Sequence, residues 1–172
     1  MKIIRCDPTH ASAILAILNE AIANSTALYD YQARTPAMMQ TWFEAKTKGR
    51  FPVIGAVDDA GELLGFASYG TFRAWPAYKY TVEHSVYVDT RFRGQGLGQT
   101  LLREIITDAT AQDYHMLIGG IDAANTASIA LHRRLGFAHC ASIKQAGFKF
   151  GHWLDLEFYQ LILSSPAQPV DG

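Results

Sequence analysis

The apolar residues of the chain change their spacing several times, and each change marks an element. Residues 3–5 form a short strand. Asp7-Pro8-Thr9 then offers capping chemistry before Ile14, Leu15, Leu18 and Ile22, which recur at helical spacing to about Ala23. Residues 24–34 are polar and read as a loop. Thr35-Pro36 opens a second helix, with Met38, Met39, Trp42 and Phe43 on its apolar face and Lys48-Gly49 as its stop. Residues 52–57 and 63–69 are strand-length apolar runs around Asp58-Asp59-Ala60-Gly61-Glu62, so they predict a β-hairpin.

A loop with Phe72, Arg73, Trp75, Tyr78 and Lys79 leads into a strand over residues 80–88, rich in β-branched and aromatic side chains and ended by Asp89-Thr90. Leu97, Leu101, Leu102, Ile105, Ile106 and Ala109 mark an amphipathic helix over 97–111. A buried strand follows at 116–121, then a helix at 122–135 stopped by Gly136. Strands at 138–145 and 152–163 flank a turn at 147–151. The order β-α-α-β-β-β-α-β-α-β-β, without linker or repeat, predicts one α/β domain with a mixed sheet (α+β in character) over residues 1–163, and a loose tail over 164–172.

The 172 residues are 49% hydrophobic and 18% charged, which suits a single folded domain and excludes disorder. Fifteen Lys and Arg against 16 Asp and Glu leave a formal charge of −1, which argues against nucleic acid as the partner. No apolar run has the length of a membrane span, and Arg5 and Asp7 interrupt any signal-peptide core, so a cytoplasmic protein is expected. Cys6 and Cys140 lack C-x-x-C spacing and read as reduced structural thiols in apolar strands. The six histidines show no metal-ligand spacing, and no metal is expected.

The segment from Val86 to Gln99 is the informative one: a strand, a basic glycine-rich turn and a helix start. Gly94, Gly96 and Gly98 permit positive φ and close approach, and the first N–H groups of the helix point outward, so an anion such as a pyrophosphate fits there. A Walker loop would end in G-K-[ST], whereas this one ends in Leu97-Gly98-Gln99. A dinucleotide fingerprint needs G-x-G-x-x-G, whereas these glycines alternate. A turn that only reverses the chain is the remaining alternative, and it leaves Arg91 and Arg93 without a reason.

Arg93-Gly94-Gln95-Gly96-Leu97-Gly98 resembles the acyl-CoA pyrophosphate loop of the GCN5-related N-acetyltransferase (GNAT) superfamily. The stretch from Asn125 to Phe137, with its His132-Arg133-Arg134-Leu135-Gly136-Phe137 ending, resembles the second signature of that superfamily. Three segments are similar to the phosphinothricin and methionine sulfoximine N-acetyltransferase group: Thr81 to Val88, the ending just quoted, and Gly147-Phe148-Lys149-Phe150-Gly151-His152-Trp153-Leu154-Asp155. The resemblance implies the GNAT fold and acetyl-CoA as donor. It also implies a small amino-acid analogue as acceptor, with detoxification or resistance as the consequence, and a homodimer.

The same resemblance assigns candidate residues. Val86, Tyr87 and Val88 would pair with the pantetheine arm, and Arg93, Gly94, Gln95, Gly96, Leu97, Gly98 and Gln99 would cradle the pyrophosphate. Asn125 and Ser128 would contact the cofactor from the following helix, where Asn125 also suits an N-cap. Acetyl transfer needs a neutral amine and a proton donor for the thiolate. Glu83, a carboxylate in mid-strand, is the first candidate for base. His84 has the better-placed pKa but alternates to the other face. His132 stands where the superfamily often has a Tyr, so it either supplies the acid, leaves that to water, or simply packs on its helix. Arg73 suits a substrate carboxylate, with Ala74, Trp75, Tyr78, Glu83, His84 and Ser85 completing the pocket. Acetylation of another small amine or a protein N-terminus, and a non-catalytic acyl-CoA-binding module, are the alternative functions.

Overall fold

The computed structural model describes residues 1–171. Its elements are β1 (Lys2–Arg5), α1 (Ala11–Asn24), α2 (Pro36–Gly49), β2 (Val53–Val57), β3 (Leu63–Thr71), β4 (Thr81–Val88), α3 (Leu97–Ala111), β5 (Met116–Asp122), α4 (Thr126–Arg134), β6 (Ala138–Lys149) and β7 (His152–Ile162), the order that the hydrophobic pattern predicts. Seven strands form one mixed sheet in the order β1-β2-β3-β4-β5-β7-β6, with β4 and β5 parallel. No helix among the described residues is long and apolar enough to cross a membrane.

The chain divides into two compact units. The first comprises Met1–Tyr69 and Ser85–Ile105. Its core gathers Ile14, Ile17 and Leu18 from α1, Met39 and Phe43 from α2, and Val53, Val57, Leu63 and Phe66 from the hairpin. Each such side chain stabilises the fold by about 1.5–3 kcal/mol through removal from water. The i, i+3, i+4 spacing on α1 gives this stripe directly. Asn19, next along α1, pins the loop over 24–34: its Oδ1 accepts from the Arg34 N–H at 2.7 Å and its Nδ2 donates to the Arg34 carbonyl at 3.0 Å. Thr35 caps α2, as its sequence position suggested. Gly49 does not supply the left-handed stop, however. Arg50 takes that conformation at φ 57°, while Gly49 makes room for the Phe51 ring, which a Cβ would meet at 2.3 Å.

The second unit comprises Gly70–His84 and the chain from Ile106 onward. Here β5 pairs antiparallel with β7 along its whole length, and β6 lies outside β7 as the sheet edge. Two sequence expectations are corrected. Strand β6 runs through the turn expected at 147–151 as far as Lys149, and Phe150-Gly151, with φ 52° and 80°, make the two-residue reversal. The tail expected to be loose is tied down: Ser165 Oγ donates to the Tyr114 carbonyl, His115 Nδ1 donates to the Ser165 carbonyl at 2.9 Å, and the Val170 N–H donates to the Tyr80 hydroxyl at 3.1 Å. Of the thiols, Cys6 is half-buried and desolvation pushes it up to about 11, whereas Cys140 is exposed on β6 rather than held in apolar surroundings.

Candidate active site

Strand β4 carries the two candidate catalytic groups on opposite faces, as alternation requires. Its parallel ladder with β5 consists of Thr81↔Met116, Val82↔Leu117 and Glu83↔Ile118, while β4 itself continues to Val88. On one face the Glu83 carboxyl lies over Gly120, where a Cβ would stand 3.4 Å from Glu83 Oε1, 3.3 Å from Phe158 and 3.4 Å from Leu156. Glu83 keeps an open side to water, yet the surrounding protein desolvates its carboxylate enough to raise the pKa above the ordinary value. The effect is that of a stronger base beside Gly120.

On the other face His84 is buried against α4. His84 Nε2 lies 2.9 Å from His132 Nε2, and His132 Nδ1 lies 2.7 Å from the Ser128 carbonyl. A carbonyl only accepts, so His132 donates from Nδ1 and accepts at Nε2, which makes His84 the donor from its own Nε2. His84 Nδ1 is then an acceptor, buried without a hydrogen-bond partner. Phe137 packs on both rings, with centroids 5.1 and 5.0 Å away. Burial, and then the neighbouring His132, push His84 down to about 3, against an opposing contribution from the Ile118 backbone. Burial also lowers His132. Both rings are therefore neutral at physiological pH. Gly119 makes the pairing possible, since its Cβ would stand 2.9 Å from His84 Cε1 and 3.3 Å from His132 Nε2.

Asn125 caps α4, its Oδ1 accepting from the Ser128 N–H at 3.1 Å, and Ser128 in turn gives its carbonyl to His132. Asp122 positions this start, its Oδ1 accepting from the Ala124 N–H at 2.7 Å, while its Oδ2 is buried without a partner. In the preceding loop Arg73 and Trp75 are exposed, Trp75 at 67%, and Phe72 meets Tyr78 edge-on at 5.7 Å.

The glycine-rich turn belongs to the first unit. Gly94 and Gly96 adopt φ 78° and 82°, and a Cβ at either would meet nothing within 4 Å, so the turn is an open cradle at the start of α3. The Gly96 carbonyl accepts from the Thr100 N–H at 3.1 Å, and the N–H groups ahead of Thr100 belong to the first turn of α3, where helix geometry supplies no intrahelical acceptor. Arg91 and Arg93, the basic residues of this turn, are both engaged in ion pairs. Arg91 is clasped by Asp89 and Glu62, both at 2.7 Å, and its guanidinium is held above its ordinary pKa by these bonds. Arg93 donates to the Val88 carbonyl at 3.1 Å and to Glu20 at 3.1 Å.

Sequence reasoning singled out Glu83, His84, His132 and Asn125, which lie on β4, on α4 and at its cap, but missed Gly119, which makes room for the His84–His132 pair. The Gly-Gly pair inside the apolar run of β5 is the signal that would have found it, because glycine in a strand interior marks close approach.

Residues 16–137 match the acetyltransferase (GNAT) family model. The chain is 48% identical over 150 residues to an L-methionine sulfoximine/L-methionine sulfone acetyltransferase of Pseudomonas paraeruginosa, covering 87% of each. A solved structure from Acinetobacter baylyi matches with TM-score 0.98 and 55% identity over 99% of this chain and 96% of that one. A GNAT phosphinothricin acetyltransferase from Sinorhizobium meliloti, in complex with acetyl-CoA, matches with TM-score 0.94 and 34% identity over 98% and 91%. The chain belongs to the GNAT acetyltransferase family.

Proposed function

We propose that this acetyltransferase uses acetyl-CoA to acetylate the α-amino group of small amino-acid analogues, namely methionine sulfoximine, methionine sulfone and phosphinothricin. The observation that carries the reading is the desolvated Glu83 carboxyl over Gly120, on the same strand as Val86, Tyr87 and Val88. An amino acid arrives with a protonated amine, which attacks nothing until the proton is removed. A carboxylate with a raised pKa is the group to take it, directly or through one water.

The residues present fit acetyl-CoA. The open cradle at Gly94 and Gly96, with the N–H groups of Leu97, Gly98 and Gln99, suits a pyrophosphate. Val86, Tyr87 and Val88 offer strand backbone to the pantetheine arm. From α4, Ser128 lies beside Asn125, whose Nδ2 is the part of the amide that the helix cap does not use. Acetyl-CoA supplies the activated thioester carbonyl. Glu83 removes the ammonium proton, while His84 and His132 position the strand through a neutral pair, because burial lowers both imidazoles, His84 to about 3, and leaves them without a proton to give near pH 7. The proton for the leaving thiolate then comes from water, the second of the three alternatives left open for His132. Arg73, with Ala74, Trp75, Tyr78 and Ser85, receives the amino-acid carboxylate and side chain.

The protein is further proposed to act in the cytoplasm as a homodimer, with resistance to such analogues as the outcome, since acetylation removes the ammonium charge. Support for the dimer comes from the β6–β7 hairpin, where Ile143, Phe148, Phe150 and Trp153 are exposed at 45–60%, more apolar surface than an isolated hairpin favours. Thiol release from acetyl-CoA with a panel of methionine sulfone, methionine sulfoximine, phosphinothricin and unrelated amines tests the activity. Release confined to the analogues supports it, and release no faster than without amine removes it. Sedimentation velocity tests the dimer, and a monomer at micromolar concentration refutes it.

A further inference from the structure

The cradle over Gly94 and Gly96 is bordered by two guanidinium groups, yet neither is available as a loose positive charge. Arg91 and Arg93 face three carboxylates, Asp89, Glu62 and Glu20. The cluster is therefore not a cationic patch, and the groups left to meet an anion are the backbone N–H groups at the start of α3. Glu20 stands apart from the other two carboxylates. Asp89 borders the turn and Glu62 belongs to the hairpin, whereas Glu20 comes from α1, 73 positions before Arg93 in sequence. Its neighbour on α1, Asn19, makes the double hydrogen bond that pins the loop over 24–34. One turn of α1 thus holds two separate segments by side-chain bonds.

Arg93 is held at two points: its Nε donates to the Val88 carbonyl, where β4 ends, and its terminal nitrogen donates to Glu20. The next residue, Gly94, turns to φ 78°, so the orientation of the Arg93 peptide sets where the N–H groups that follow it point. We propose that Glu20 is a positioning residue for acyl-CoA: acting through Arg93, it fixes the glycine turn so that backbone N–H groups, not the guanidinium, meet the pyrophosphate. This rests on reading residues 93–99 as the phosphate loop.

The test measures CoA affinity by calorimetry alongside steady-state kinetics. Glu20→Ala weakens the Kd for CoA and raises the KM for acetyl-CoA by about threefold to fivefold, the size of a partly exposed ion pair. It leaves kcat within twofold, and Glu20→Gln, which keeps an acceptor for Arg93, falls in between. S-acetylpantetheine, a donor without pyrophosphate, is used equally well by Glu20→Ala and the unaltered protein. In an Arg93→Met background Glu20→Ala has no further effect, because the two act as one device. Tighter CoA binding in Glu20→Ala would mean that Glu20 only masks an arginine that itself binds phosphate, and that overturns the inference. So does unchanged affinity, additivity with Arg93→Met, or an equal loss with the truncated donor. Gly96→Val separates this from the underlying reading. If that variant keeps the original CoA affinity, the loop is not the phosphate site at all. If it loses CoA binding while Glu20→Ala does not, only the role of Glu20 fails.

Discussion

Acidification should destabilise the fold through His84, and the structure sets the size and sign of the effect. In the unfolded chain an imidazole takes up its proton near 6.5, whereas in the folded protein burial and the neighbouring His132 hold His84 down to about 3. Between these values the unfolded state carries the extra proton, so stability is complete above about pH 6.5 and declines as the pH falls toward 3. Each unit is worth about 1.4 kcal/mol, and at pH 5 the loss reaches about 2 kcal/mol, a large fraction of a typical stability of about 5–15 kcal/mol. His132, lowered by the same burial, acts in the same direction. Urea unfolding followed by tryptophan fluorescence and circular dichroism, at intervals between pH 7.5 and 5, measures the loss for the native chain and for His84→Gln. The variant starts less stable, since it gives up the bond to His132, but its pH dependence is flatter by about 2 kcal/mol over that range. Parallel curves for the two proteins would refute the reasoning, because the pH dependence would then arise elsewhere.

Glu83→Gln should lower turnover by about 10²-fold or more at neutral pH with CoA affinity unchanged, and in the native chain the acidic limb of kcat/KM for the amine should lie above the ordinary carboxylate range, as the desolvation of Glu83 requires. Equal turnover of the two proteins across the pH range removes Glu83 as base. Gly119→Ala places a methyl 2.9 Å from His84 and should cost about 1–3 kcal/mol in urea unfolding, whereas Gly120→Ala, at 3.3–3.4 Å from its neighbours, should cost less stability and act on kcat/KM by crowding Glu83. Identical behaviour of the two variants contradicts the face assignment. Asn19→Ala removes both bonds to the Arg34 backbone and should cost about 1–3 kcal/mol, with faster protease cleavage within residues 24–34, and an unchanged cleavage rate refutes the strap.

Much of the candidate site stands out in the sequence because its residues break local patterns. Glu83 interrupts a strand of Val and Tyr, two glycines precede an amphipathic helix and a third stands in its first turn, and Asn125 stands where a cap belongs. The hidden part concerns partners distant in sequence. Nothing near Arg93 indicates that Glu20 holds it, and nothing near His132 indicates that its ring meets His84 rather than a solvent-facing thiolate. The turn after β6 was misplaced for a related reason. Gly147 looks like a turn residue, but pairing with Leu154 keeps it in the strand, and the reversal falls at Phe150-Gly151.

The sequence alone determined the order of elements, the alternation that separates Glu83 from His84, and the glycine turn at the start of α3. These follow from periods of 2 and 3.6 residues and from local φ preferences, which neighbouring residues dictate. Tertiary structure decided the protonation chemistry and the charge balance. Burial beside Gly119 and His132 makes His84 a neutral group, desolvation beside Gly120 raises the pKa of the Glu83 carboxyl, and two carboxylates brought in by the fold, Glu62 and Glu20, pair with Arg91 and Arg93. Desolvation and Coulomb interactions depend on distance in space, and the chain order alone does not contain that distance.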